Sequence, residues 1–214
     1  TMLAAFSAMA IQIGTNLWND AADAQSGTDT SERLGPPRMT ALGLLEAHSV
    51  KRAALMVFAV ALAAGLPLVA AGGWPIIAIG LVSLLLGYCY SMGPLPLSHT
   101  PLGELIVIAF FGVIAVMGTA HVLGAEPSLL GALAGLMLGL PSSAVLLLNN
   151  HRDRKTDYSA GRRTLAILAG DRGAKLLYAL LMGSALTLLA ILLPPGKLSW
   201  LAAIPALGAA ALVR

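Results

Sequence analysis

The chain has 214 residues, of which 57% are hydrophobic and only 11% are charged, and its mean hydropathy is +0.83. Soluble domains carry about 25% charged residues, so this composition excludes a soluble protein and indicates an integral membrane protein. The net charge of +3 then reflects cationic loops at one membrane face and does not indicate nucleic-acid binding. A single cysteine, Cys89, excludes an internal disulfide.

The first predicted membrane span, residues 1–19, leads into a cluster of polar side chains. Asn16, Asp20 and Asp23 recur at helical spacing and therefore share one side of a helix. Like charges at this spacing repel each other unless something positive lies between them. The cluster therefore predicts a cation site, and more charges follow it at Asp29, Glu32, Arg33 and Arg38.

A charge-free segment from Ala53 to Leu102 is too long for one membrane helix. The sequence Gly72-Gly73-Trp74-Pro75 divides it into predicted spans at 52–71 and 75–90. The loop Ser91–Pro101 contains three prolines, which exclude a continuous helix.

Two further spans, predicted at 104–123 and 127–149, lead into a second cluster. If the helix continues, Asn149, Asp153 and Asp157 repeat every four residues along one face. A hard cation such as Mg²⁺, held by one or two carboxylates and by a substrate diphosphate, would relieve their repulsion. Basic residues surround this cluster, at Arg152, Arg154, Lys155, Arg162 and Arg163.

The last two spans are predicted at 174–193 and 198–213, which makes seven in all. With seven alternating spans, every lysine and arginine except Lys197 falls on the same side of the membrane. Basic residues collect on the cytoplasmic side, so both polar clusters are predicted to be cytoplasmic.

Three blocks of sequence, in this order, resemble the UbiA-type membrane prenyltransferases. Within that superfamily the chain most resembles the 1,4-dihydroxy-2-naphthoate prenyltransferases of menaquinone synthesis, on its Arg33-x-Gly35-Pro36-x-Arg38 element. The blocks are Asn19-Asp20-x-x-Asp23-x-x-x-Gly27-x-Asp29-x-x-x-Arg33-x-Gly35-Pro36-x-Arg38, Leu102-Gly103-Glu104 with Phe110-Phe111-Gly112 and Val116-Met117-Gly118, and Asn149-Asn150-x-Arg152-Asp153-x-x-x-Asp157-x-x-x-Gly161-Arg162-x-Thr164-Leu165.

The resemblance implies an all-α, polytopic transmembrane helical bundle that forms a single prenyltransferase domain over residues 1–214. The family usually has about nine membrane helices, so a chain with seven is expected to lack one helix before and one or more after. Two positions depart from the family pattern while keeping the charge. Glu104 stands where Asp is common, and Arg162 stands where Lys is common.

The implied activity is Mg²⁺-dependent transfer of an isoprenyl group from a polyprenyl diphosphate to 1,4-dihydroxy-2-naphthoate, with decarboxylation, giving demethylmenaquinone. The expected location is a bacterial cytoplasmic membrane, with the active site toward the cytoplasm. The expected partners are the diphosphate, the aromatic acceptor and the lipid bilayer, with no nucleic acid and no obligate protein partner.

The resemblance also implies roles for individual residues. The predicted Mg²⁺ ligands are Asp20, Asp23, Asp153 and Asp157. The predicted diphosphate contacts are Arg33, Arg38, Lys155, Arg162 and Arg163. The predicted supporting residues are Asn16, Asn19, Asn149, Asn150 and Tyr88.

Three weaker predictions concern the acceptor. Glu104 could orient or deprotonate an acceptor hydroxyl, or it could be an ordinary acid at a helix N-terminus. Tyr88 and Tyr90 could stack on a naphthoate ring or simply lie at the membrane interface. His99 could contact the acceptor from the cytoplasmic loop.

Alternative interpretations remain open at this point. The clustered charges could merely cap helices and pair with one another. Within the enzyme class, the second hypothesis is a prenyltransferase of the same superfamily that acts on another acceptor, such as 4-hydroxybenzoate or a chlorophyll-type acceptor. A small-solute transporter is the non-enzyme alternative, although transporters bury polar residues near the bilayer midplane and here almost every charge lies at one face.

Overall fold

The computed structural model describes residues 2–26, 38–90 and 96–193. All regular structure in these ranges is helical, which confirms the predicted all-α bundle. The helices are α1 (Met2–Ser26), α2 (Ala47–Gly72), α3 (Trp74–Cys89), α4 (Gly103–Val122), α5 (Leu129–Arg152), α6 (Arg154–Ser159) and α7 (Leu165–Leu192).

Four helices, α2, α4, α5 and α7, are long and apolar enough to cross a membrane. Helix α3 is apolar but has only 16 residues, and α1 is not among the four because Gln12, Asn16 and Asn19 lower its hydropathy. Large apolar side chains such as Leu55 and Leu180 point outward and stay exposed. This outward hydrophobic surface is what a lipid-facing bundle requires, and the chain is an integral membrane protein.

The structure confirms the predicted break between the second and third spans. Gly73 has φ of 67° and lies between the end of α2 and the start of α3. Only glycine adopts this left-handed conformation without steric cost, and Pro75 is suited to the first turn of the new helix. The last predicted span, 198–213, lies outside the described residues.

The sixth predicted span differs from the structure at its start. The prediction begins at 174, whereas α7 begins at Leu165. Because Gly170 is not helical, Leu165–Leu192 consists of two helical segments that meet at a kink, and the second segment, 171–192, is the one long enough to cross the hydrocarbon. Gly170, with φ of 70°, interrupts the helix immediately before the charged residues Asp171 and Arg172.

Helices α4 and α5 approach each other more closely than side chains of ordinary size allow. A Cβ atom added to Gly112 would lie 2.4 Å from the carbonyl oxygen of Gly135, and one added to Gly139 would lie 2.6 Å from the carbonyl oxygen of Ile108. Small residues drive helix association in membranes because they let backbones come together. In the same region, the segment Ile108–Ile114 of α4 adopts π-helical geometry.

The helices place most charged residues at one end of the bundle. Helices α1 and α2 run antiparallel, since Ser7 contacts Ala61 and Gly14 faces Phe58. The C-terminal ends of α1 and α5 therefore meet the N-terminal ends of α2, α4 and α7. We call this the charged end of the bundle, and it contains Asp20, Asp23, Glu104, Asp157 and Arg162.

Candidate active site

Asp23, near the C-terminal end of α1, is a buried carboxylate that binds two arginines. Arg162 donates from Nη2 to its Oδ1 at 2.7 Å, and Arg38 donates from Nη1 to its Oδ2 at 2.8 Å. Because both oxygens accept charge-assisted hydrogen bonds, this carboxylate is firmly held.

Asp157, on the short helix α6, binds the same arginine. Nη1 of Arg162 donates to Oδ1 of Asp157 at 3.1 Å, and the backbone N–H of Arg162 donates to the Asp157 carbonyl at 2.9 Å. Gly161, with φ of 79°, makes the turn that brings Arg162 back over α6. One guanidinium therefore joins the first polar cluster to the second, across 134 residues of sequence from Asp23 to Asp157.

The surroundings shift the proton affinities of three groups at this end. Burial raises the pKa of Asp157, and the nearby Arg162 charge opposes that shift. Burial also lowers the pKa of His99. The pKa of Tyr90 rises to about 12, first because of burial and then because of the Glu104 charge.

The other two predicted metal ligands have different partners. Asp20 accepts a hydrogen bond from the hydroxyl of Thr40. Asp153 accepts two hydrogen bonds from the neighbouring Arg152, at 2.8 and 2.7 Å. Within residues 2–26, 38–90 and 96–193, no three acidic, histidine or cysteine side chains group closely enough to hold a metal ion. The assignment of four carboxylates to Mg²⁺ stays a prediction.

The second cluster does not lie on one continuous helix, as the sequence pattern predicts. Helix α5 ends at Arg152, and Asp153 has φ of −88° and ψ of 7° between α5 and α6. Backbone hydrogen bonds still join Asp153 to Asn149 at 3.0 Å and Asp157 to Asp153 at 2.9 Å. The spacing of four residues is therefore kept across the junction, although the helix is interrupted there.

The remaining predicted residues are distributed around this centre. Asn150 donates to Glu104 at 2.9 Å, whereas Asn16, Asn149 and Lys155 are exposed and Asn19 is half-buried. Arg163 is exposed with its guanidinium 5.4 Å from the Tyr158 ring centre, and its backbone N–H donates to the His99 carbonyl at 2.8 Å. Arg33 lies outside the described residues.

Of the two tyrosines named from the sequence, Tyr88 and Tyr90, the structure places Tyr90 among the charges. Tyr88 packs against Trp18, with ring centres 5.4 Å apart. Tyr90 instead experiences the charges of Glu104, Arg162, Asp23 and Asp157. Thr40, the partner of Asp20, is not among the residues predicted from the sequence, because nothing in the sequence marks a lone threonine as part of the site.

The oxygen-rich side chains fit a hard divalent cation. Mg²⁺ prefers carboxylate oxygens and shares its remaining positions with water and substrate phosphates. Asp23 and Asp157 both contact one guanidinium, so the two carboxylates already face a common space that holds a positive charge.

Comparison with known proteins decides the family. The UbiA prenyltransferase family matches residues 1–214. The chain belongs to this family. Its membership confirms the resemblance inferred from the three sequence blocks.

Several relatives of this UbiA-family chain share the description 1,4-dihydroxy-2-naphthoate octaprenyltransferase. The chain is 36% identical to the 1,4-dihydroxy-2-naphthoate octaprenyltransferase of Mycobacterium tuberculosis over all of this chain and 74% of the relative. It is 34% identical to the proteins of the same description from Bacillus subtilis, over 81% of this chain, and Escherichia coli, over 86% of it. The chain spans 56% of the Bacillus subtilis relative and 62% of the Escherichia coli relative. The comparison with solved structures finds no significant match.

We expect Arg162→Ala to destabilise the protein strongly, because it leaves two buried carboxylates without their shared cation. Removing one partner of a buried ion pair costs about 3–5 kcal/mol. Lys175→Ala is the matched control, since Lys175 forms an exposed pair with Asp171 that is worth about 0–1 kcal/mol. Thermal unfolding in detergent with a chelator present measures both.

The loss in Arg162→Ala should shrink as the pH falls. The pKa of Asp157 is already raised, and removing Arg162 raises it further, so the folded variant binds a proton more readily than the unfolded chain. Protonation of Asp157 therefore stabilises the folded variant as the pH falls through the raised pKa. This stabilisation disappears as the pH rises through the same pKa. The role given to Arg162 would be contradicted if Arg162→Ala and Lys175→Ala lowered the unfolding temperature equally, or if the stability lost in Arg162→Ala did not depend on pH.

Proposed function

We propose that this protein transfers an isoprenyl group from a polyprenyl diphosphate to 1,4-dihydroxy-2-naphthoate, with Mg²⁺. The observation that carries the proposal is the Asp23–Arg162–Asp157 bridge, which unites the two acidic motifs at one end of an apolar bundle. The descriptions of the relatives support the choice of acceptor.

The diphosphate binds at the charged end. When bound, Mg²⁺ neutralises the negative charge that develops on the departing diphosphate. Arg38 and Arg162 lie beside Asp23, and Lys155 and Arg163 are exposed nearby. Arg162 exchanges its carboxylate partners for diphosphate oxygens, where its planar fork of donors suits a bidentate contact.

The prenyl tail occupies an apolar cavity beneath the charged end. The cavity has a volume of about 420 Å³, within the range of ligand pockets. It lies between α1, α2, α3 and α4, in the half of the bundle away from Asp23. Its walls are almost entirely apolar and include Ile11, Leu66, Ile76, Phe110 and Val122.

The reaction begins when the bond between the allylic carbon and the diphosphate oxygen breaks, and the electron pair leaves with the diphosphate. The resulting allylic cation faces the apolar cavity, which keeps water away. The carboxyl-bearing carbon of the naphthoate ring attacks it and forms the new carbon–carbon bond. The bond to the carboxyl group then breaks, its electron pair restores the ring, and carbon dioxide is released.

Asp157→Asn should reduce Mg²⁺-dependent turnover of the full-length protein by about 10²-fold or more, because the variant loses electrostatic stabilisation of the leaving group. Asp171→Asn is the matched control, since it makes the same chemical change at an exposed acid bound to His151 and Lys175. The assay follows labelled prenyl diphosphate in membranes at limiting Mg²⁺. Near-normal turnover by Asp157→Asn would refute the proposed metal site.

Carbon dioxide release should match prenylated product mole for mole when carboxyl-labelled 1,4-dihydroxy-2-naphthoate is the acceptor. The stoichiometry follows from attack at the carbon that bears the carboxyl group. Parallel incubations with 4-hydroxybenzoate provide the comparison. Prenylation of 4-hydroxybenzoate with its carboxylate retained, and no turnover of the naphthoate, would assign the protein to another branch of the family.

The charged end should face the cytoplasm of a bacterial cell, because the basic residues gather there. In a Cys89→Ser background, Ser159→Cys should react with a membrane-impermeant thiol reagent only in inverted vesicles. Glu126→Cys, in the connection between α4 and α5 at the other end of the bundle, should react only in intact cells. The reverse pattern would invert the proposed orientation.

A further inference from the structure

The buried contact between Glu104 and Asn150 links the Leu-Gly-Glu block to the second polar cluster. Glu104 opens α4 and is only 4% exposed. Its Oε1 accepts a hydrogen bond from Nδ2 of Asn150 on α5 at 2.9 Å. Its Oε2 is buried, and no described residue donates to it.

The direction of this hydrogen bond fixes the orientation of the Asn150 amide. A carboxylate only accepts hydrogen bonds, whereas an amide has one donating end and one accepting end. Because Glu104 takes the NH₂ group, the carbonyl oxygen Oδ1 must lie on the opposite side of the amide. Within the described ranges, no residue donates to Oδ1 of Asn150.

Asn150 lies beside the acidic residues of the proposed metal site. It lies in the last turn of α5, next to Asn149, whose backbone carbonyl accepts a hydrogen bond from the N–H of Asp153 at the α5–α6 junction. The segment that leads into Glu104 is joined to the same end of the bundle, since the carbonyl of His99 accepts a hydrogen bond from the backbone N–H of Arg163 at 2.8 Å, and the neighbouring Arg162 binds Asp157 and Asp23. An amide oxygen at this position is a suitable donor for a hard cation.

We propose that Glu104 is a positioning residue that turns the Asn150 amide so that its oxygen faces the metal–diphosphate. This inference rests on the proposed function and assigns a role to a residue that makes no contact with the reacting atoms. Outer partners that orient ligands in this way commonly change metal affinity by 10–100-fold when they are replaced.

A direct role for Glu104 as the base that deprotonates the acceptor fits the structure less well. One of its oxygens is occupied by Asn150, and the other is shielded from anything the size of a water molecule. A general base must come within hydrogen-bonding distance of the proton it removes. The positioning role needs no such access.

The test exchanges the donor and acceptor of the pair. In Glu104→Gln the new amide either accepts from Asn150 or donates to it, so the orientation of Asn150 is no longer fixed. In the double variant Glu104→Gln/Asn150→Asp, Gln donates to the new carboxylate, which again presents an oxygen to the cation. Mn²⁺ serves as the probe, and electron paramagnetic resonance measures its binding to the purified full-length protein with a diphosphate present.

We expect Glu104→Gln to weaken Mn²⁺ binding by about tenfold and the double variant to restore it to within about threefold of the original protein. Asn150→Ala removes the oxygen, so adding Glu104→Gln in that background should cause no further loss. The thermal stability of the metal-free protein is measured for the same set of variants. This comparison separates a loss of metal binding from a loss of folding.

Three outcomes are distinguishable. If Asp157→Asn leaves Mn²⁺ affinity unchanged, the proposed metal site itself is wrong. If Asp157→Asn weakens binding but Glu104→Gln does not, or if the double variant stays as weak as the single one, the positioning role is overturned. Loss of Mn²⁺ affinity in Glu104→Gln and its restoration in the double variant support the positioning role, because removing a general base would leave Mn²⁺ binding unchanged.

Discussion

The arrangement of the charged end depends on one guanidinium placed between two buried carboxylates. Asp23 and Asp157 carry like charges and belong to segments far apart in sequence, so they would repel each other without Arg162. Their attraction to Arg162 holds the end of α1 against α6 and the turn at Gly161. An ion pair this buried contributes little net stability compared with apolar packing, but losing one partner is costly. The bridge is therefore best understood as holding a reactive arrangement together.

Close helix packing below the charged end makes this arrangement possible. Gly112, Gly135 and Gly139 bring the backbones of α4 and α5 into contact. That approach places Glu104 within hydrogen-bonding distance of Asn150 at the end of the same pair of helices. In a membrane, where lipid tails are as apolar as leucine, such packing replaces the hydrophobic effect as the cause of association.

The sequence predicted the helical class, the break at Gly73 and the gathering of charges at one end, because these follow from hydropathy, glycine geometry and chain direction. It also grouped Asp23, Asp157 and Arg162 as candidates for one site, and the structure shows that these three side chains are in contact. It did not predict that Asp153 would pair with Arg152, or that α5 would stop before Asp153. Spacing along a helix shows which side chains share a face, but the choice of partner depends on distances of a few tenths of an ångström between elements.

The π-helical segment of α4 has a consequence for how the two halves of this helix are used. Each residue added to a helical turn rotates the following side chains by about 100° around the axis. Because Ile108–Ile114 is π-helical, the side of α4 on which Glu104 faces α5 does not determine which side of the following turns lines the cavity. The residues that line it there are Gly118, Thr119 and Val122. One helix can thus present a polar face to the charged end of the bundle and an apolar face to the cavity, with the two faces set independently. Substitutions in α4 beyond Ile114 therefore change the shape of the cavity without disturbing the hydrogen bond between Glu104 and Asn150.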